Sequence, residues 1–187
     1  MKSQKAESSD DYLVFDTSPL AHFAQRDILG VLKIVAGTRR VLIPDMVAVE
    51  LGEMTVRDER IKATLNADWI EQRELRTVEE VSSFAEFSSL LVRGTRNRGE
   101  AAVLALTKSI GDAWAVIDDG AGRRAAHDND INLKPTLALL CEAINQKLLT
   151  IGFVSAMVDE LLLGKYRLPL APGGFEAWAR ENDIIQV

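Results

Sequence analysis

At 187 residues with 47% hydrophobic content, the chain is near the size of one domain and apolar enough to build a core, which excludes a disordered or low-complexity protein. A net charge of −6 excludes a general nucleic-acid coat, so any polynucleotide has to be met by a local cluster of cations such as Arg93, Arg96, Arg98, Arg123 and Arg124. The single cysteine, Cys141, excludes an internal disulfide and reads as a small buried hydrophobe in an apolar helical stretch. Residues 1–11 are polar and read as neither signal peptide nor anchor, and no apolar run is long enough to span a bilayer; the expectation is a reducing, cytoplasmic setting.

Strand-like and helical runs alternate along the chain, the pattern of an α/β domain with a parallel sheet. The apolar run Tyr12-Leu13-Val14-Phe15 predicts a first strand closed by Asp16, and Thr17-Ser18-Pro19 offers N-cap hydroxyls and a first-turn proline for a helix just beyond it. Val41-Leu42-Ile43 reads as a second strand stopped by Pro44, with Asp45 capping a helix that carries Glu50 on its first or second turn. Residues 55–67 look helical, 69–75 form a short edge strand, and 78–91 have helical spacing of apolar residues. Arg98-Gly99-Glu100 opens an alanine- and leucine-rich helix over residues 101–110, with Glu100 in the first turn, where the helix dipole favours an acid. A strand Trp114-Ala115-Val116-Ile117 ends at Asp118-Asp119-Gly120, followed by a helix over 121–127, a short strand Asn132-Leu133-Lys134 and a helix over 135–148. Residues 151–163 read as an amphipathic helix, 164–174 as a Pro/Gly-rich connection, and 175–181 as a final short helix.

This layout places Asp16 and the pair Asp118-Asp119 at the ends of buried strands, where open parallel sheets bind ligands, with Glu50 and Glu100 on adjoining helices. Carboxylates gathered from such distant positions repel one another, and a hard divalent cation such as Mg²⁺ or Mn²⁺ resolves the repulsion through oxygen ligands. Taken singly each acid has an ordinary explanation: Asp16 as a helix cap, Glu50 and Glu100 as solvated helix residues. His22 and His127 follow no nucleophile motif, and one Cys with two scattered His gives no zinc set.

Phe15-Asp16-Thr17-Ser18-Pro19-Leu20, Leu42-Ile43-Pro44 leading to Glu50-Leu51, Arg98-Gly99-Glu100-Ala101, and Ile117-Asp118-Asp119 leading to Arg123-Arg124-Ala125-Ala126 together resemble the PIN-domain nucleases. The similarity runs over residues 12–163 and is greatest to the prokaryotic branch described as predicted nucleic-acid-binding proteins, related to VapC-type toxins. It implies a three-layer α/β/α domain with a central parallel sheet; an extension over residues 1–11 and a tail with a short helix over 164–187 fall outside the resemblance. It also implies a Mg²⁺- or Mn²⁺-dependent ribonuclease site in which Asp16, Glu50, Glu100 and either Asp118 or Asp119 are catalytic metal ligands. Many PIN nucleases carry a hydroxyl residue two places before the last acid, where this chain has Ile117, so the choice between Asp118 and Asp119 stays open.

Metal-assisted hydrolysis needs no protein nucleophile. The hydroxyls of Thr17 and Ser18 are candidates for orienting water or phosphate, and Arg123 and Arg124 for holding the RNA backbone. Beyond RNA, the expected partners are an antitoxin protein, if the chain is the toxin of a toxin–antitoxin pair, and a second copy of the chain through any exposed share of Leu161, Leu162 and Leu163. Two other classes fit the acids: a non-catalytic nucleic-acid-binding or regulatory PIN module, and a response-regulator-like phosphate-handling domain, which needs a lysine after a later strand, for which Lys134 beside Pro135 is a poor candidate.

Overall fold

Four short strands, β1 (Tyr12–Phe15), β2 (Arg40–Pro44), β3 (Ile70–Arg73) and β4 (Ala113–Val116), form one sheet in the order β3-β2-β1-β4, with every neighbouring pair parallel. The computed structural model describes residues 12–94, 96–164, 166–182 and 184–185, and the extension expected over residues 1–11 lies outside them. Leu13, Val14, Phe15, Leu42, Ile43, Ala115 and Val116 are buried, as central parallel strands covered on both faces must be.

Helices fill every crossover. They are α1 (Thr17–Gln25) and α2 (Leu29–Ala36) between β1 and β2, then α3 (Asp45–Met54) and α4 (Lys62–Leu65) between β2 and β3, and α5 (Val78–Leu91) and α6 (Arg98–Ile110) between β3 and β4. After β4 come α7 (Gly120–Asp128), α8 (Thr136–Asn145), α9 (Ile151–Leu163) and α10 (Phe175–Glu181). The result is the expected three-layer α/β/α architecture. Helix α6 lies across β1, β2 and β4 and is buried along most of its length, from Ala101 to Thr107; its small alanines allow that close approach.

The strand order determines where a ligand can sit. The chain steps outward from β1 to β2 to β3, then returns to the other side of β1 to lay down β4. Connections therefore leave β1 and β4 in opposite directions, and a crevice opens at their carboxyl ends. Phe15 pairs with Val116, so Asp16 emerges beside Ile117, and its backbone N–H donates to Val116 O at 3.1 Å.

Several boundaries differ from the sequence expectation. The stretch after Asp16 holds two helices, because α1 stops at Arg26 and Asp27 takes a left-handed φ of 57° before α2 begins. The cap of α3 is Pro44 rather than Asp45, which is the first helical residue and acts only through the dipole. Residues 55–67 are not one helix but a turn, a 3-10 turn (Glu59–Ile61) whose Asp58 caps Arg60 N, and the single turn α4. The expected strand at Asn132-Leu133-Lys134 is reduced to one parallel bridge, Leu133 to Ala115, since Pro135 follows with no N–H to extend the ladder. Helix α8 ends at Asn145, short of residue 148, where Lys147 turns left-handed at a φ of 60°.

Candidate active site

Asp16 leaves the end of β1 and caps α1, its Oδ2 accepting Ser18 N–H at 3.4 Å. It is only 2% exposed, and its Oδ1 has no hydrogen-bond partner. Burial pushes its carboxyl well above the usual range, and the negative charges of Glu100 and Glu50 push the same way, against the N–H groups of Thr17 and Ser18. A buried, half-satisfied carboxylate among like charges is costly unless a cation compensates it.

Glu50 sits on the second turn of α3 and ties together the starts of two other helices. Its Oε2 accepts the Thr17 hydroxyl at 2.5 Å, and its Oε1 accepts Gly99 N–H at 3.0 Å, one of the donors that the first turn of α6 leaves free. Thr17 therefore orients a neighbouring carboxylate rather than capping its own helix. Gly99 is where that approach is closest: a Cβ there would lie 2.7 Å from Glu50 Oε2 and 3.2 Å from Asp16 Oδ1. Glu100 follows on α6, and its carboxyl is raised by burial and, more weakly, by the charges of Glu50 and Asp119, against a bond from its own backbone N–H.

The acidic pair after β4 divides its work. Asp119 caps α7, its Oδ1 accepting Ala121 N–H at 2.8 Å and Gly122 N–H at 3.4 Å, and its charge is felt by Glu100. Asp118 turns toward α8. Its Oδ1 accepts Thr136 N–H at 2.9 Å, and its Oδ2 accepts the Thr136 hydroxyl at 2.6 Å together with the hydroxyl of Tyr166. Tyr166 is buried and stacks on His22 with ring centroids 4.5 Å apart; burial and the Asp118 charge raise its phenol well above the ordinary value. Ile117, standing where a hydroxyl was expected, is fully buried, and a Cβ on Gly122 would meet its Cγ2 at 2.8 Å, so it is a packing residue.

Two clefts open over these groups. One, of about 380 Å³, is lined by Asp16, Thr17, Glu50 and Glu100, with Arg57 and Arg96 beside them. The other, of about 370 Å³, is lined by His22, Asp118, Asp119, Tyr166 and Arg167, and the two meet at Ser18 and Glu100. The structure thus brings Asp16, Thr17, Ser18, Glu50, Glu100, Asp118 and Asp119 to one sheet edge. Arg123 and Arg124 line neither of these two clefts, although Arg123 shares a third with Asp118. Both are exposed on α7 and line a neighbouring cleft with Gly120, while Arg57, Arg96 and Arg167 take the positions beside the acids. Arg57 lies beyond the end of α3, in a turn where its N–H donates to Met54 O at 3.0 Å, so the helical spacing of α3 did not point to it. Nothing in the local pattern pointed to Thr136, Tyr166 or Arg167.

Among the described residues no three His, Cys, Asp or Glu side chains are drawn closely enough to hold a metal ion as they stand. The donors nevertheless suit a hard cation. All are carboxylate oxygens, one of them is a buried oxygen without a partner, and their mutual repulsion is what a divalent ion removes. Among the described residues no helix is long and apolar enough to cross a membrane.

Comparison with known proteins agrees with this architecture. No curated protein matches the chain. Residues 12–171 match the family DUF3368, described as a PIN domain, and that span contains the whole sheet and every acid of the site. The chain belongs to the PIN-domain family of nucleases.

Proposed function

We propose that the chain is a divalent-metal-dependent endoribonuclease that hydrolyses RNA phosphodiester bonds at the carboxyl ends of β1 and β4. The observation that carries this reading is Asp16, buried with an unpartnered Oδ1 and pressed by the charges of Glu100 and Glu50. Asp16, Glu50, Glu100 and Asp119 would hold Mg²⁺ or Mn²⁺, which when bound supplies the positive charge that polarises a phosphoryl oxygen and acidifies water. The chain does the positioning. The Thr17 hydroxyl and Gly99 N–H fix both oxygens of Glu50, and the absent side chain at Gly99 lets α6 approach. Asp118, with both oxygens engaged, anchors α8 and Tyr166 and so fixes the loop that presents Asp119. Arg57 and Arg96 flank the acids in one cleft and Arg167 in the other, so a phosphate backbone entering at either side meets a guanidinium.

The test is incubation of the purified chain with single-stranded RNAs and tRNA in Mg²⁺ and in Mn²⁺. Cleavage abolished by EDTA is expected. The resemblance to VapC-type toxins extends the proposal to the toxin half of a toxin–antitoxin pair, tested by whether induced expression arrests growth and Glu100→Gln relieves the arrest. One observation favours a second reading, a non-catalytic nucleic-acid-binding module: among the described residues no three acids are drawn closely enough to hold a metal ion. RNA binding with no cleavage in either metal would select it.

A further inference from the structure

From Tyr166 on the chain folds back beside the site, and it continues past residue 171, where the family match ends. Tyr166 is bonded to Asp118, and α10 packs on α9, carrying Trp178 half-buried and tilted against Phe175 at 6.3 Å between ring centroids. Between this segment and α8 lies a cleft of about 360 Å³, within the range of small-molecule sites. Its apolar wall includes Trp178, Pro135 and Pro169, and Arg123 and Arg167 also line it. Both arginines are exposed, and among the described residues neither makes a side-chain hydrogen bond or ion pair.

Arg167 and Asp118 line this cleft and also the cleft that holds Glu100 and Asp119, so a chain lying in one continues into the other. An aromatic ring in an apolar slot beside two unpaired guanidiniums complements a base with phosphates on either side. A base inside a duplex cannot enter such a slot, whereas an unstacked one can. We infer that the cleft formed by Trp178, Arg123 and Arg167 is a subsite for one nucleobase of single-stranded RNA, stacked on Trp178 with its flanking phosphates on the two arginines. The inference rests on the ribonuclease reading and adds the C-terminal segment to the substrate-binding surface. It also gives Arg123 a place in binding, next to the acids rather than among them.

The test measures binding separately from cleavage, by anisotropy of a labelled single-stranded RNA about eight nucleotides long, a length typical of single-strand sites. It is run in EDTA, with a duplex of the same sequence as a second probe. Trp178→Ala is expected to weaken single-strand binding roughly tenfold and Trp178→Phe much less, because a phenyl ring still stacks. Arg167→Ala, at an exposed position, keeps the test valid if Trp178→Ala folds poorly. It should lower the slope of log K against log salt by about 0.7. Duplex binding should be weak and insensitive to Trp178. Single-strand binding left unchanged by both Trp178→Ala and Arg167→Ala overturns this inference while leaving the ribonuclease reading intact. No RNA binding by the unaltered chain overturns both. Tryptophan emission that depends on protein concentration without RNA, and is lost in Trp178→Phe, assigns the cleft to a second copy of the chain and overturns the inference.

Discussion

Gly99→Ala separates the site from the fold. The added Cβ would stand 2.7 Å from Glu50 Oε2 and 3.1 Å from Thr17 Oγ1, closer than carbon and oxygen pack, so something has to move. The nearest atom is the tip of a flexible side chain, and Glu50 can swing away without disturbing the backbone. The stability cost is therefore small. Alanine gains roughly 1 kcal/mol of helix propensity at most, while loss of the Thr17 bond to a charged carboxylate costs about 1.5–3 kcal/mol. The net is a destabilisation of about 0.5–3 kcal/mol, or a few degrees in Tm for a chain of this size. Function should suffer far more, since displacing a metal-holding group by about 1 Å costs on the order of 100-fold in rate. The assay is kcat/KM for RNA cleavage beside a thermal melt with and without Mn²⁺. We expect a near-native melt, a Mn²⁺ stabilisation largely lost, and activity down about 100-fold. A variant with unchanged kcat/KM and unchanged response to Mn²⁺ would refute the assignment of Glu50 to the site.

The acidic pair should separate just as clearly: Asp118→Asn keeps one acceptor oxygen but replaces the other with an NH2 donor, so the three bonds from Thr136 and Tyr166 cannot all be kept, and it is expected to cost about 2–3 kcal/mol in denaturant unfolding while the folded protein still cleaves. Asp119→Asn keeps a competent helix cap, melts near the native temperature and loses activity, so the reverse pattern in the same two measurements would exchange their roles. Glu80, 1% exposed, tests the fold away from the site: burial raises its pKa, but the N–H groups of Thr77 and Arg76, the Ser109 hydroxyl and the Arg73 charge outweigh that and hold it below the ordinary value. Its stabilisation is fully present above the unfolded carboxyl pKa of about 4.3 and is lost as pH falls through the lower folded value, so the stability gap between the native chain and Glu80→Gln should shrink on acidification. A gap that stays constant with pH would contradict the sign.

What was legible in the sequence was what local pattern encodes. Short apolar runs ending in Asp16 and Asp118 marked the site edge, and the ranges of α5, α9 and α10 follow from apolar spacing and caps such as the Thr77–Glu80 box. The break between α1 and α2 was missed because no Gly or Pro marks it: Asp27, a residue that takes a left-handed φ less readily than glycine, supplies the turn at 57°. The roles of Asp118 and Asp119 were not legible, because they depend on partners brought in by folding: Thr136 lies 18 residues from Asp118 and Tyr166 lies 48 away. The same reason hid Arg167. Arg123 and Arg124 were read as holding the RNA backbone; α7 carries both to a cleft beside the acids, and Arg123 also lines a second cleft with Asp118.

The central claim is that these carboxylates form a metal-dependent cleavage centre, and the most direct measurement is the cleavage rate of single-stranded RNA by the native chain and by Glu100→Gln, purified in parallel, with Mg²⁺ or Mn²⁺ added and then withdrawn by EDTA. The amide keeps the shape of the side chain but binds a hard cation poorly, so the variant should fold as the native chain does. The account predicts metal-dependent cleavage by the native chain and a rate lower by orders of magnitude in Glu100→Gln. Equal cleavage by both proteins, or cleavage by the native chain that survives EDTA, would contradict it.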